Sequence, residues 1–543
     1  SSYDFNSVTN TNLPSNTIHN PALGQGTPSI NAGFGSSAMA SFFTRETYNY
    51  DDRYYATYTY RYDGSSNFGP NNRWAGFHSL AGSWRFTNEK FMKNVAWISN
   101  GKIRIGWGQT GNANIGGSTW LTTMSRMPTG LGLSYRPANI ANESVKWESQ
   151  EQWNIGLDLG FLQDRINLTV DWYRKESKDM LMTMQLPSYM GTQGNASSAL
   201  TAPKGNYGKL RNYGFEITLN VRPVVTKNFD WDSDIQFSVN RNKLVGLQGT
   251  ASAAIVGYGQ WSDVVSMSTV GESLYNFYGY VVEGVYKDFN DIINSPISDK
   301  APLNADGTIC TDPSKYNKQN TVWVGDLKFK DVNGDGKITE ADKTNIGSPL
   351  PKFTFGWTNT FHYKNFDASI FINGSYGNKV MNYTSISLTA MKTAWSNQLN
   401  TIGSRAQLSM IDGSKNYAAG TYWYNDISNI KVINAGTSIP RAAINDPNDN
   451  DRISSRYIED GSYIRLKNIS LGYTFPKKWI SKIGLSNLRV SANIQNLLTI
   501  TGYDGYDPEI GASTSDMNGY VFGMDNGRYP SPTTYSFGLN VSF

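Results

Sequence analysis

One run in the chain has the spacing of a cation-binding loop. In Asp331-Val-Asn-Gly-Asp-Gly-Lys-Ile-Thr-Glu-Ala-Asp342, the residues Asp331, Asn333 and Asp335 stand at the first, third and fifth positions of an EF-hand-type loop. Gly336 gives the sharp turn at the sixth, Lys337 offers its carbonyl at the seventh, Thr339 stands at the ninth and Asp342 closes the loop. Calcium is a hard cation that takes oxygen ligands, so these residue types fit it. The last position usually carries a glutamate that binds through both oxygens, and Asp342 is shorter. The competing reading is a solvated Asn-Gly/Asp-Gly turn with no ion. With an ion bound, the role would be structural, stiffening a long loop at an affinity of ~10⁻⁴–10⁻³ M.

No other grouping points to catalysis. His19, His78 and His362 lie far apart, with no metal-ligand spacing, and the one cysteine, Cys310, excludes an intrachain disulfide framework. No nucleophile elbow is present, and the acidic pairs sit on no recognisable glycosidase scaffold. The chain is therefore not expected to be an enzyme. Aromatic residues recur in the long connecting stretches: Trp120, Tyr258, Trp261, Trp323, Trp395 and Tyr422-Trp423-Tyr424. Such rings could stack on sugars or pack against a partner protein, which makes Trp120, Trp261, Trp395, Tyr422, Trp423 and Tyr424 ligand or partner candidates. The alternative is that long ordered loops use them as a core of their own.

The elements that carry these loops read as strands. In the final nine residues Tyr535, Phe537, Leu539, Val541 and Phe543 alternate with Ser536, Gly538, Asn540 and Ser542. A soluble edge strand this apolar would invite aggregation, whereas a barrel strand between lipid and a wet lumen needs that pattern. Similar alternation runs through Leu168–Trp172, Trp231–Val239, Phe353–Phe361 and Leu488–Ile494. The phase slips once near Lys467-Asn468, the mark of a β-bulge. Short connections (Tyr50 to Tyr54, Gly160 to Ile166, Val221 to Trp231, Tyr363 to Asp367) alternate with long ones, roughly 112–150, 177–212, 243–352, 376–460 and 498–531. At 17% charged and 13% aromatic residues, the chain is neither disordered nor a bundle of membrane helices. Its net charge of +4 is spread out, so nucleic acid is not an expected partner.

The fold class expected is all-β, a transmembrane antiparallel barrel with about thirteen strands in this chain. The start, Ser1-Ser-Tyr-Asp-Phe-Asn, has no signal-peptide character. An odd strand set cannot close as an antiparallel ring, so residues 1–37 are expected as an extracellular loop segment and 38–543 as the C-terminal part of a barrel.

Several motifs occur in a family-typical order. They are Asp63-Gly-Ser-Ser-Asn-Phe-Gly69 with Asn72-Arg-Trp74, Gly108-Gln-Thr-Gly-Asn112, Lys146-Trp-Glu148 with Asn154-Ile-Gly-Leu-Asp158, and Asp171-Trp-Tyr-Arg-Lys175 with Lys178-Asp179. Further along come Gly325-Asp-Leu-Lys-Phe-Lys-Asp-Val-Asn-Gly-Asp-Gly336 with Ile346-Gly-Ser-Pro-Leu-Pro351, where 325–347 is expected as an EF-hand-like segment of an extracellular loop, then Tyr463-Ile-Arg-Leu-Lys-Asn468, Asn496-Leu-Leu498 and Gly505-Tyr-Asp-Pro-Glu509. In these motifs the chain resembles the SusC/RagA-type TonB-dependent transporters of Bacteroidota outer membranes. The resemblance implies a roughly 22-stranded plugged barrel. It also implies a plug and TonB box preceding this chain, an N-terminal portion of the same barrel, a SusD-like lipoprotein lid, and dimers of such transporter–lipoprotein pairs. The expected activity is TonB-energised import of a bulky nutrient, glycan first and oligopeptide second. A passive porin or surface adhesin is the alternative from another class. A secreted all-β carbohydrate-binding protein is a third, opposed by the apolar face of Tyr535–Phe543.

Overall fold

The computed structural model describes residues 2–10, 15, 20, 29–115, 119–130, 132–184, 189, 191, 200–247, 254–260, 263–511 and 521–543. Thirteen strands lie in one sheet, and each is hydrogen-bonded to its neighbour in sequence. They are β1 (Met39–Tyr50), β2 (Tyr54–Ser65), β3 (Trp74–Trp84), β4 (Ile98–Asn112), β5 (Glu148–Phe161), β6 (Ile166–Thr183), β7 (Lys204–Val225), β8 (Phe229–Leu247), β9 (Phe353–Tyr363), β10 (Phe366–Tyr376), β11 (Tyr463–Thr474), β12 (Asn487–Thr501) and β13 (Thr534–Ser542). The number agrees with the sequence reading. Ser2–Thr9 and Ser29–Ser36 form a separate antiparallel ribbon.

The chain forms two compact units, one of residues 1–159, 171–213 and 244–251, the other of 160–170, 214–243 and 252–543. In the first unit β1 and β2 turn through Asp51-Asp52-Arg53, with Asp51 and Asp52 at φ of 54° and 50°, a region aspartate tolerates. The long connections after β2 and β4 fold back over a small core of Phe68, Phe77, Ile115, Val145 and Trp147.

In the second unit the chain between β8 and β9 and the chain between β10 and β11 build smaller sheets of their own. One has four strands, Ala254–Tyr258, Val264–Thr269, Phe277–Gly279 and Thr344–Gly347. The β7–β8 turn is tighter than the sequence reading had it, because pairing continues to Val225 and resumes at Phe229. The bulge falls where the phase slip put it. Against β10, Ile372 faces Leu466 and Phe371 faces Asn468, which leaves Lys467 as the extra residue; against β12, Lys467 in turn faces the pair Asn496-Leu497. Opposite it, Asn496 takes a left-handed φ of 53°, which explains an asparagine in that motif. The apolar face of β13 continues across the ladder, with Val541 opposite Leu488, Leu539 opposite Val490 and Phe537 opposite Ala492.

The other face of the sheet is polar and carries ion pairs that reach across a whole strand. Arg104 on β4 pairs with Asp158 on β5 (2.8 Å) and with Asp171 on β6 (3.0 Å). Gly156 on β5 lies beneath, where a Cβ would come within 2.5 Å of the guanidinium carbon. Arg489 on β12 donates to Asp367 on β10 (2.7 Å), and Gly472 on β11 lies under that pair, where a Cβ would come within 2.6 Å of the carboxylate. Both pairs need a bare backbone on the strand they cross. Gly156→Ala and Gly472→Ala are expected to displace the part-exposed guanidinium groups and to cost ~0–1 kcal/mol each, the contribution of such an ion pair. Gly106→Ala, where no atom lies within 4 Å, is expected to be neutral. The temperature at which the folded barrel loses its gel mobility measures all three.

Candidate functional site

The second unit's two long inserts share one core. Tyr286, Phe289, Ile292, Val322, Trp323, Val324, Leu327 and Phe329 from the first insert pack with Ala406, Ile427, Ile430 and Val432 from the second. A short helix, Phe289–Ile293, enters this core with Asp288 capping its N-terminus. At the centre, Asp326 is fully buried and Arg441 is only 8% exposed. Arg441 Nη2 donates to Asp326 Oδ2 (3.2 Å), while Nε lies 2.8 Å from Oδ1, an ion-pair distance off the hydrogen-bond axis. The Trp323 backbone N–H donates to the same carboxylate (2.8 Å). Asn450 Nδ2 donates to Asp326 Oδ1 (3.3 Å) and to Asp446 Oδ1 (2.6 Å), and its own Oδ1 accepts from the Leu327 N–H (2.7 Å). Burial, and then the neighbouring carboxylates of Asp451 and Asp326, push the Asp446 carboxyl up to about 6.

The Asp331–Asp342 loop closes as the motif requires, with Gly334 and Gly336 at φ of 78° and 81°. Asp331 accepts from the N–H groups of Gly334 and Gly336 (2.7 Å each), Asn333 Oδ1 from Asp335 N–H (2.9 Å), and Asp335 Oδ1 from Lys337 N–H (2.9 Å). Asp342 is fully buried and accepts from the N–H groups of Val332 (2.9 Å) and Thr339 (2.7 Å). The Thr339 hydroxyl caps the following turn. Among the described residues no three His, Cys, Asp or Glu side chains converge as a metal site.

The aromatic candidates separate into several environments. Trp120 packs against the small core of the first unit, over Gly69, and Trp423 packs against the inserts' core, as does the buried Trp323. Tyr422 stacks flat on Tyr424 at 5.1 Å, and Lys318 Nζ lies 4.1 Å from the Tyr424 ring centre. Tyr422 is 56% exposed and Trp395 86%. Trp261 lies outside the described residues.

Several motifs prove to be mates of one another. Arg465 of the Tyr463–Asn468 motif is buried, pairs with Asp507, and donates to Glu509 of the Gly505–Glu509 motif (2.7 Å) and to Thr499 (2.8 Å). Phe68 stacks on Trp147 at 5.1 Å, and Trp147 Nε1 donates to the Arg73 carbonyl (3.1 Å), which joins the Asp63–Trp74 motif to the Lys146–Glu148 motif. The sequence reading missed one feature, a cavity of about 730 Å³ in the second unit. Its lining carries both charge signs, with Arg452 3.3 Å from Asp299, Lys343 beside Glu340 and Lys392 beside Asp451. These residues come from positions far apart in the chain, so no local pattern announces them.

Comparison with known proteins agrees with this architecture. Residues 1–306 match the family described as TonB dependent receptor-like, beta-barrel. The chain belongs to that family of outer-membrane β-barrels. It is 33% identical over 517 residues to TonB-dependent receptor P3 of Formosa agariphila, covering 93% of this chain and 45% of that protein. It is 30% identical over 520 residues to TonB-dependent receptor SusC of Bacteroides thetaiotaomicron, covering 93% and 44%. The RagAB peptide transporter structure superposes with a TM-score of 0.75 at 20% identity, over 100% of this chain and 52% of that one. The chain thus spans about half the length of the relatives it matches. Among the described residues no helix is long and apolar enough to cross a membrane.

Two outcomes follow from the buried network. Asp326→Ala strands the Arg441 guanidinium in the core and is expected to destabilise the inserts by ~3–5 kcal/mol. Proteinase K should then cut within the two inserts, in residues 263–352 or 377–462, while the barrel keeps its heat-modifiable gel mobility. The Asp446 carboxyl, raised to about 6 when folded, stands above its unfolded value of ~3.9. Its contribution to stability is therefore full below the unfolded value and lost as pH rises through about 6. Asp446→Asn should flatten that pH dependence in protease-resistance curves of the inserts.

Proposed function

We propose that this chain supplies wall and outer-surface loops of an outer-membrane importer for a bulky, polar nutrient. On this reading TonB energises transport through a plug held in the barrel, and a SusD-like surface lipoprotein covers the loops. The observation that carries the reading is the two-faced sheet. One face is apolar and exposed, from Phe42 and Tyr58 to Phe537 and Leu539. The other holds the paired charges of Arg104, Asp158, Asp171, Arg222, Asp232, Asp367 and Arg489. Lipid satisfies the first and water the second. Glycan is the leading substrate class, and the exposed Tyr422 and Trp395 rings are its stacking candidates. The mixed-sign cavity favours oligopeptide as the second class, because peptides carry both charges.

Uptake of labelled oligosaccharides and oligopeptides by cells with and without the gene tests this. Import should depend on the gene and stop when an uncoupler collapses the proton gradient. Import that continues in uncoupled cells would show a passive pore instead. The lipoprotein should co-purify stoichiometrically in mild detergent.

The Asp331–Asp342 loop is proposed as a structural Ca²⁺ site on its donor chemistry: Asp331, Asn333, Asp335 and Asp342 are oxygen donors on one tight turn. Purified protein should lose one bound calcium in the Asp331→Ala, Asp335→Ala double variant. Unchanged metal content would reject the site.

A further inference from the structure

The outward face of the first unit changes character over one step along four adjacent strands. Ile103 and Ile105 on β4, Ile155 on β5, and Trp153, Trp172 and Tyr213 on β5, β6 and β7 are all exposed on the apolar face. Trp107 belongs to the same face, its ring 6.3 Å from that of Trp153. Aromatic rings at this density mark the level where a barrel leaves the hydrocarbon. The next residues on the same face, toward the long connections, are Glu151 on β5, Arg174 on β6 and Arg211 on β7, each two positions beyond an aromatic ring.

There the charges gather. Glu176 accepts from Arg174 Nη2 (2.7 Å) and from Arg211 Nε (2.7 Å), and Lys209 Nζ lies 3.5 Å from its second oxygen. Lys178 is neutralised by Glu151. Three cations around one carboxylate leave two positive charges in excess, and their side chains remain 45%, 42% and 31% exposed for Arg174, Lys209 and Arg211. A wall that needed only internal pairing would not gather three cations on one acid at the head-group level.

We propose that Arg174, Lys209 and Arg211, held around Glu176 just outside the aromatic girdle, bind the phosphate of an anionic lipid head group of the outer leaflet. Glu176 aligns the two guanidinium groups, and their remaining N–H donors, with the Lys209 ammonium, face the plane where lipid phosphates lie. Guanidinium groups recognise phosphate through paired, charge-assisted hydrogen bonds. The acyl chains of the same lipid would lie against Trp153, Ile155 and Trp172. This inference rests on the outer-membrane reading above.

The test uses the intact protein in phosphatidylcholine nanodiscs with and without lipid A, the diphosphorylated glucosamine lipid. Retained lipid is counted by native mass spectrometry. Insertion is scored first: failure to insert would overturn the membrane reading itself. In inserted protein, wild type should retain lipid A, and the Arg174→Gln, Lys209→Gln, Arg211→Gln variant should bind it roughly tenfold more weakly or worse. Lys175→Gln, on the alternate face of β6, should match wild type. Glu176→Gln removes the internal counter-charge and should tighten binding by roughly threefold, an effect that misfolding cannot mimic. Undiminished lipid A binding in the triple variant overturns the proposal. So does displacement of the lipid by millimolar inorganic phosphate, which would mark a free-anion site instead.

Discussion

The buried Asp326–Arg441 pair is the interaction on which the two inserts of the second unit depend. Asp326 belongs to the insert between β8 and β9, and Arg441 to the insert between β10 and β11. Taking both charges out of water costs several kcal/mol per ion before any attraction is counted, so the pair is a poor source of net stability. What it supplies is registration. Arg441 finds its counter-charge in one arrangement of the two inserts, and the Asn448–Asn450 amides fix the same arrangement through the backbone at Leu327. Neither insert has a sufficient core without the other, since Trp323 and Leu327 come from one and Ile427 and Ile430 from the other.

The same logic explains which parts of the fold could be read in the sequence. Strand periodicity is local: a period of two is visible in any stretch of nine residues, and a one-residue slip at Lys467 is visible as a break in phase. The alternation of short and long connections is nearly as local. The pairing of motifs is not. Nothing near Asp507 in sequence says that its partner is Arg465, and nothing near Trp147 says that its ring lies on Phe68. A charge or ring chosen for a buried partner looks, in sequence, like one chosen for a ligand. Trp120 and Trp423 show the consequence, because both spend surface on internal packing, Tyr422 gives one ring face to Tyr424, and Trp395 stays 86% exposed. The Asp331–Asp342 loop lies between these cases. Its turn was legible because glycine at left-handed φ is a local demand, whereas the burial of Asp342 depends on packing that the loop's own residues do not announce.

Glycines under the crossing ion pairs show how the wall reconciles two requirements. Adjacent strands lie about 4.8 Å apart, so an arginine that reaches the second strand away must pass low over the one between. Gly156 and Gly472 clear that path. The β-structure gives up some local preference at these positions, since glycine weakens a strand interior. In exchange, charged side chains lie along the wall instead of projecting into the lumen.

Pairing along a wet wall adds little stability, because exposed ion pairs contribute ~0–1 kcal/mol. Its consequence is electrostatic. An unpaired arginine in a water-filled passage is a fixed charge that holds any anionic group of a passing solute, and conduction requires binding weak enough to permit release. When Arg104 is shared between Asp158 and Asp171, and Arg489 is held by Asp367, the wall presents hydrogen-bonding surface with its charges already engaged. The buried clamp of the inserts and the paired wall therefore use the same ions for opposite ends. In the dry core the pair excludes every arrangement but one. On the wet face it leaves each charge engaged with a partner on a neighbouring strand.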